Sequence, residues 1–305
     1  MRPWTRVSHM HPPSRITASI VTFRSGPVIA ACLESLFAST RRSLDVVVFD
    51  NASDDDTVAR LKPFAGRVRI VAHPVNLGFG QGNNRALSDA AGDYFLLLNP
   101  DIELPPGGLD QLVSHLDEHP ECGAVAPRLD EASSNALAGF SRHYPGQRYA
   151  PSSFRRLPGD VAFLQGACLL IRAALFREIG GFDPRYFLYA EDLDLSLEVR
   201  KRGWTLAYAS DVVVRHLGGH SEQGCPAASV ADRKYAGLIL FYRKQYPART
   251  VVFLLVRDLL KFSWRLLVLS LRPGGVPDGK TAEYRGRLQA WWRHAFRTAP
   301  AAKSP

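Results

Sequence analysis

A chain of 305 residues with 46% hydrophobic and 22% charged residues can bury a large core, which excludes a disordered or fibrous protein. Its cysteines, Cys32, Cys122, Cys168 and Cys225, are scattered without a C-x-x-C pair. They read as buried thiols and exclude a disulfide or zinc framework. The net charge of +9 is uneven: residues 230–305 carry 15 Lys and Arg against 4 Asp and Glu. Such a basic segment meets nucleic acid or an anionic membrane.

Residues 1–15 contain charges and prolines but no apolar run, and read as a loose tail with no signal peptide. Residues 17–23 (TASIVTF) are a β-branched apolar run, hence a buried strand, and residues 28–37 follow with helical spacing. A second strand, 45–49 (DVVVF), ends in the polar cluster DNASDDDT, and residues 57–61 open a helix. A third strand at 68–72, a helix at 82–91 and a fourth strand at 94–98 (YFLLL) continue the alternation. That order predicts an α/β fold with a doubly wound, mostly parallel sheet. Ligands bind such sheets beyond the carboxyl ends of the strands, where DNASDD, HPVNLGFGQGNN and NPD lie. Beyond these come a helix at 110–119, a strand at 123–127 and a long polar loop at 130–157. Apolar strand character returns at 161–172, then a helix at 193–202 and one or two strands at 205–215.

Four clusters are candidates for chemistry. In Asn99-Pro100-Asp101 a carboxylate at a strand end can hold a divalent cation that also bridges phosphates; the alternative is an Asx-Pro turn. Asp50-Asn51-x-Ser53-Asp54 can address a base imide or a ribose hydroxyl, or serve as a turn and N-cap. The segment 76–84, from Asn76 through Gly78 to Asn83 and Asn84, is dense in glycine and lets backbone approach a nucleotide. It lacks the lysine and spacing of a P-loop and the placing of a dinucleotide fingerprint. Glu191, Asp192 and Asp194 crowd three carboxylates into four residues, so at least one pKa rises toward that of a general base; acids capping a helix are the other reading. His216, at the end of a predicted strand, is a second candidate ligand beside Asp101, or a structural histidine.

Taken in order, IVTF, VVVFDNASDDDT, NLGFGQGNN, YFLLLNPD, FLQGACLLIRAALFREIGGFD and YAEDLDLSLEVRKRGW resemble the inverting glycosyltransferases of family 2, over roughly residues 17–220. The resemblance implies a GT-A fold over residues 16–228, with the tail 1–15 before it and a helical, basic, amphipathic region over 229–305. It makes Asp50 the base-recognising acid, with Asn51 and Ser53 in the same motif and Asn76, Gly78 and Asn83 near the nucleotide. Asn99 and Asp101 occupy the family's D-x-D position, with Asn99 in place of the first acid, as in the rhamnosyltransferase-like subgroup. Mg²⁺ or Mn²⁺ is the implied cofactor, held by Asp101, with His216 matching a histidine that completes the shell in some relatives. Asp192, in the matching E-D pair with Glu191, is implied as catalytic base. The Gln165-Gly166 segment and Trp204 are implied as parts of the donor and acceptor pocket.

In the basic region, residues 229–246 read as a helix. Residues 250–271 are strongly apolar but broken by Arg257, Asp258, Lys261 and Arg265, which argues against a membrane span. Charges at helical spacing suit an in-plane helix on an anionic membrane, with Trp291 and Trp292 as further anchors. A helical pair packed on the core or on another subunit is the alternative. No nucleic-acid module accompanies the charge. The expected activity is transfer of a sugar, rhamnose first, from a dTDP- or UDP-activated donor to a saccharide, lipid-linked by preference. The setting would be bacterial cell-surface polysaccharide synthesis, in the cytoplasm and peripheral on the inner face of the membrane. A nucleotidyltransferase acting on sugar phosphates and an inactive membrane-associated scaffold of the same fold are the competing readings.

Overall fold

The computed structural model describes residues 14–131, 139–217, 226–271 and 278–296. In chain order, strand β1 (Ile16–Thr22) leads to helix α1 (Gly26–Ala38), β2 (Leu44–Asn51), α2 (Thr57–Leu61), β3 (Arg69–His73) and α3 (Phe79–Leu87). Then come β4 (Tyr94–Leu98), β5 (Ile102–Glu103), α4 (Gly108–Glu118), β6 (Cys122–Glu131), β7 (Phe140–Ser141), β8 (Phe163–Leu164) and β9 (Cys168–Arg172). Helices α5 (Ala173–Ile179) and α6 (Glu191–Lys201) precede β10 (Thr205–His216), and α7 (Ala227–Gln245), α8 (Ala248–Ser270) and α9 (Asp278–His294) close the described chain.

The central strands β1 and β4 are buried on both faces because both faces are covered. In β4, Tyr94, Leu96 and Leu98 enter one core and Phe95 and Leu97 enter another, as a period-two strand between two helical layers requires. Helices α1 and α4 fill the first layer, while α5 and α6 fill the second. The eight-stranded sheet runs β3-β2-β1-β4-β9-β6-β10-β5. From β3 to β4 every pairing is parallel, as the alternation of strands and helices predicts.

Two features of the sheet and one helix depart from the expectation. The apolar run at 161–172 is two strands, β8 and β9, broken at Gln165–Ala167, and β9 lies antiparallel between β4 and β6. The two residues of β5 pair antiparallel with the end of β10, placing Ile102 opposite His216. Helix α3 starts at Phe79, inside the glycine-rich segment, where glycine density hides helical periodicity from the sequence.

A further core lies beyond the sheet. Leu193 and Leu197 of α6 pack with Tyr235, Ile239 and Tyr242 of α7, Leu254 and Phe262 of α8 and Trp291 of α9. Trp291 Nε1 donates to the Leu255 carbonyl at 2.8 Å, closing α9 onto α8. The basic helices thus cover the α6 side of the fold, as the packing alternative held. Among the described residues no helix is long and apolar enough to cross a membrane. Cys32, Cys122 and Cys168 are buried free thiols, with burial raising each pKa. Cys225 and most of the N-terminal tail lie outside the described residues.

Candidate active site

A cavity of about 330 Å³ opens at the carboxyl ends of β1, β2 and β4. Val21, Asn51, Asn99 and Asp101 line it from the strand ends, Asn76, Gly78 and Phe79 from the glycine-rich segment, Phe187 and Leu188 from the loop before α6, and Arg233 from α7. Among the described residues, Asp101 and Arg233 are the ionisable ones in its lining.

Each motif residue is placed by a specific bond. Asp50, next to last in β2, has its carboxylate buried: Thr22 Oγ1 donates to one oxygen at 2.9 Å and the Ser53 backbone N–H donates to the other at 3.1 Å. Ser53 Oγ in turn accepts the Arg24 backbone N–H at 2.9 Å, tying the loops after β1 and β2 together. Asn51 clamps the glycine-rich segment, because Leu77 N–H donates to its Oδ1 at 2.7 Å and its Nδ2 donates to the Gly78 carbonyl at 3.0 Å. Asn76 Oδ1 accepts the Gly78 N–H at 2.9 Å.

Gly78 has φ of 84°, and a Cβ there would stand 2.0 Å from the Phe187 carbonyl oxygen. That carbonyl accepts the Phe79 N–H at 3.0 Å, so the loop before α6 is laced to the start of α3. On its other side the same loop meets α7: a Cβ on Gly237 would stand 2.2 Å from the Tyr189 carbonyl oxygen. Tyr189 and Ala190 hold left-handed φ values of 73° and 69°, a strained turn maintained between two glycine contacts. It ends at Glu191, the first residue of α6.

Glu191 is 5% exposed, and its Oε2 has no hydrogen-bond partner among the described residues. Burial first and the charge of Asp192 second push its pKa up to about 8. Asp192 is partly exposed. Gly166 N–H donates to its Oδ2 at 3.1 Å and Leu193 N–H to its Oδ1 at 2.8 Å. Burial raises its pKa despite those bonds. A Cβ on Gly166 would touch both Asp192 and Phe79, so the break between β8 and β9 brings a backbone donor to the carboxylate beside the cavity wall.

Asp194, the third acid of the cluster, belongs to a different network. Lys244 Nζ donates to it at 2.6 Å and to Asp183 at 2.9 Å, and Gln245 Nε2 donates to it at 2.7 Å. The two carboxylates raise the pKa of Lys244, whereas burial outweighs the bridge at Asp194 and leaves its pKa above normal.

Asp101 is 6% exposed, and its Oδ1 lies 3.4 Å from His216 Nε2. The β5–β10 pairing and the bond from Leu217 N–H to the Asp101 carbonyl, 3.1 Å, hold the two side by side. A carboxylate oxygen and an imidazole nitrogen suit a divalent cation that takes its remaining ligands from phosphate and water. Among the described residues no three Asp, Glu, His or Cys side chains form a ready-made cage.

The matching family is described as "Glycosyltransferase like family 2", and it covers residues 12–234. The chain belongs to that family. It is 31% identical over 248 residues to an N-acetylglucosaminyl-diphospho-decaprenol L-rhamnosyltransferase of Mycobacterium tuberculosis, covering 69% of this chain and 78% of the relative. It is 25% identical to the O-antigen chain rhamnosyltransferase RfbN of Salmonella typhimurium, over 66% of each chain. The mannosyltransferase PcManGT of Pyrobaculum calidifontis, solved with GDP-Man and Mn²⁺, superposes with a TM-score of 0.62 at 17% identity, covering 94% of this chain and 88% of that one. The family makes this chain a glycosyltransferase of GT-A fold, and a nucleotidyltransferase is set aside.

Of the residues expected at the site of this glycosyltransferase, the fold gathers Asn51, Asn76, Gly78, Asn99 and Asp101 around the cavity, with His216 on Asp101. It does not bring Asn83 or Trp204 there. Asn83 is fully buried: its Oδ1 accepts from Ser19 Oγ at 2.7 Å, fastening α3 to β1, and its Nδ2 donates within α3 to the Phe79 carbonyl at 3.0 Å. Trp204 precedes β10 at the opposite end of the sheet, under the Arg172 guanidinium at 5.5 Å, because Thr205 pairs with Cys122 at the start of β6. Sequence reasoning missed Phe187, Leu188 and Arg233. The apolar run Phe187-Leu188-Tyr189-Ala190 directly before the acids is a signal for the first two; nothing in the basic run around Arg233 distinguishes it.

Proposed function

We propose that the protein transfers rhamnose, with inversion, from a dTDP- or UDP-activated donor to a lipid-linked saccharide at the inner face of the membrane, in cell-surface polysaccharide synthesis. The observation that carries this reading is the convergence of Asp101 and Arg233 on one cavity whose wall, at Phe79, adjoins Asp192. The names of the relatives support the sugar and the acceptor class.

In this reading the nucleotide lies along the strand ends, with Asp50 and the glycine-rich backbone toward its base and ribose and with Phe23 and Phe187 as apolar walls. Arg233 offers a bidentate donor to the diphosphate. Asp101 and His216 would hold Mg²⁺ or Mn²⁺, which neutralises diphosphate charge when bound. Asp192 takes the proton from the acceptor hydroxyl as that oxygen bonds to the anomeric carbon. The bond from that carbon to the diphosphate oxygen breaks, and the electron pair leaves with the diphosphate. Glu191, buried behind Asp192, keeps a proton of its own and so spares Asp192 a second negative charge alongside.

Replacing Asp192 by Asn keeps the size and removes the base. Turnover, read as nucleoside diphosphate released in the presence of a lipid-linked N-acetylglucosaminyl acceptor, is expected to fall about 10²- to 10⁴-fold. Donor binding, read by thermal shift, is expected to persist. Near-normal turnover in that variant would falsify the assignment.

A further inference from the structure

Helix α8 is apolar on two opposite faces. One face, with Leu254, Phe262 and Leu269, is buried against its neighbours. The other carries Phe253, Val256, Leu260, Trp264, Leu267 and Leu271, spaced by three and four residues, and all are exposed, with Leu260 at 65% and Trp264 at 64%. A surface helix ordinarily turns polar residues outward, and a continuous apolar face marks an interaction site.

The charges around this face select its occupant. Arg257, Lys261 and Arg265 recur every four residues along one flank, and Arg249 stands exposed near the N-terminal end. The one acid of α8, Asp258, is turned inward, 4% exposed, bonded to Arg257 at 2.6 Å and accepting from Tyr235 at 3.3 Å. The outer side of α8 is therefore an apolar strip with a basic border and no exposed acid. Anionic headgroups above acyl chains match both parts of that pattern. A second copy docked through its own α8 would cover the strip but bring no α8 acid to the border.

We propose that α8 lies in the plane of an anionic bilayer, with this strip in the acyl boundary and Arg249, Lys261 and Arg265 at the headgroups. Only Tyr246 and Pro247 separate α8 from α7, which brings Arg233 to the cavity and Gly237 to the strained turn. Docking through α8 thus holds the transfer site beside the bilayer. That consequence rests on the lipid-linked acceptor proposed above, whereas the docking itself does not.

The test floats full-length protein with vesicles of phosphatidylcholine containing phosphatidylglycerol and, in parallel, with phosphatidylcholine alone. Wild type is expected to partition at least about tenfold better onto the anionic vesicles. Leu260→Glu combined with Trp264→Glu should lose about tenfold or more of that partitioning, because two charges enter the apolar strip. Lys261→Glu combined with Arg265→Glu should fall to the neutral-vesicle level. Melting temperature and thermal-shift binding of the donor should stay unchanged in both, since these side chains project away from the fold. Equal flotation of wild type and the apolar-face variant, or no flotation by wild type, would overturn the proposal. So would sedimentation showing a wild-type dimer that the same variant dissolves. Flotation by a wild type that binds no nucleotide-sugar would support the docking surface and count against the catalytic reading alone.

Discussion

Glu191 and Asp192 are adjacent in sequence, yet depth separates their roles. Glu191 retains its proton in the folded state until the pH reaches about 8, whereas an unfolded glutamate releases it near 4.5. In that window the folded protein binds more protons than the unfolded chain, so this residue makes stability fall as pH rises. Glu191→Gln removes the dependence. Its melting temperature, relative to wild type, should therefore rise by several degrees between pH 5 and pH 8, and a constant offset would contradict the buried-proton assignment. At Asp192 the raised pKa places the acid limb of the kcat/KM profile above the ordinary carboxylate range. Across the cavity, Arg233 is the one basic lining residue among those described. If Arg233 holds the diphosphate as proposed, Arg233→Gln raises the donor KM about tenfold or more with an unchanged melting temperature, checked by initial rates. An unaltered KM would remove Arg233 from the site.

The loop before α6 is an element made by its neighbours. Its left-handed residues, Tyr189 and Ala190, are not glycines, so nothing local favours the turn that delivers Glu191 and Asp192. Gly78 on one side and Gly237 on the other let two backbones approach closely enough to hold it. Gly237→Ala inserts a methyl 2.2 Å from the Tyr189 carbonyl oxygen. The strain is expected to cost about 1–3 kcal/mol and to displace the acids, lowering kcat more than donor affinity. Denaturant unfolding and initial rates check both parts; a variant with normal stability and kcat would show that α7 does not support the turn. This dependence was invisible in the sequence, where Gly237 lies in an ordinary helical stretch.

At the scale of the molecule, α7 to α9 are joined to the catalytic layers by burial and by Lys244, which bridges Asp183 and Asp194. Removing its charge strands a carboxylate that is only 3% exposed. Lys244→Met should cost about 3 kcal/mol, read as a lower denaturant midpoint of a single transition. Two separate transitions would mean that the C-terminal helices unfold independently.

What the sequence determined by itself was whatever local periodicity and motif order encode. Strand β4 and helix α2 have the bounds that their sequence patterns predict, and the polar clusters at the strand ends mark the edge of the sheet where the cavity opens. Period-two and helical patterns are properties of neighbouring residues, so one chain suffices to see them. Long-range pairing is different. The antiparallel placing of β9, the two-residue β5 that sets His216 beside Asp101, and the removal of Trp204 to the far end of the sheet depend on partners distant in sequence. Asn83 has a nucleotide-site composition around it but a buried address, which only its bonds to Ser19 and Phe79 reveal. For α8 the sequence shows apolar residues interrupted by charge and is silent on which face meets protein. Tertiary packing decided that, because burial of one face by α6, α7 and α9 is what leaves the other exposed.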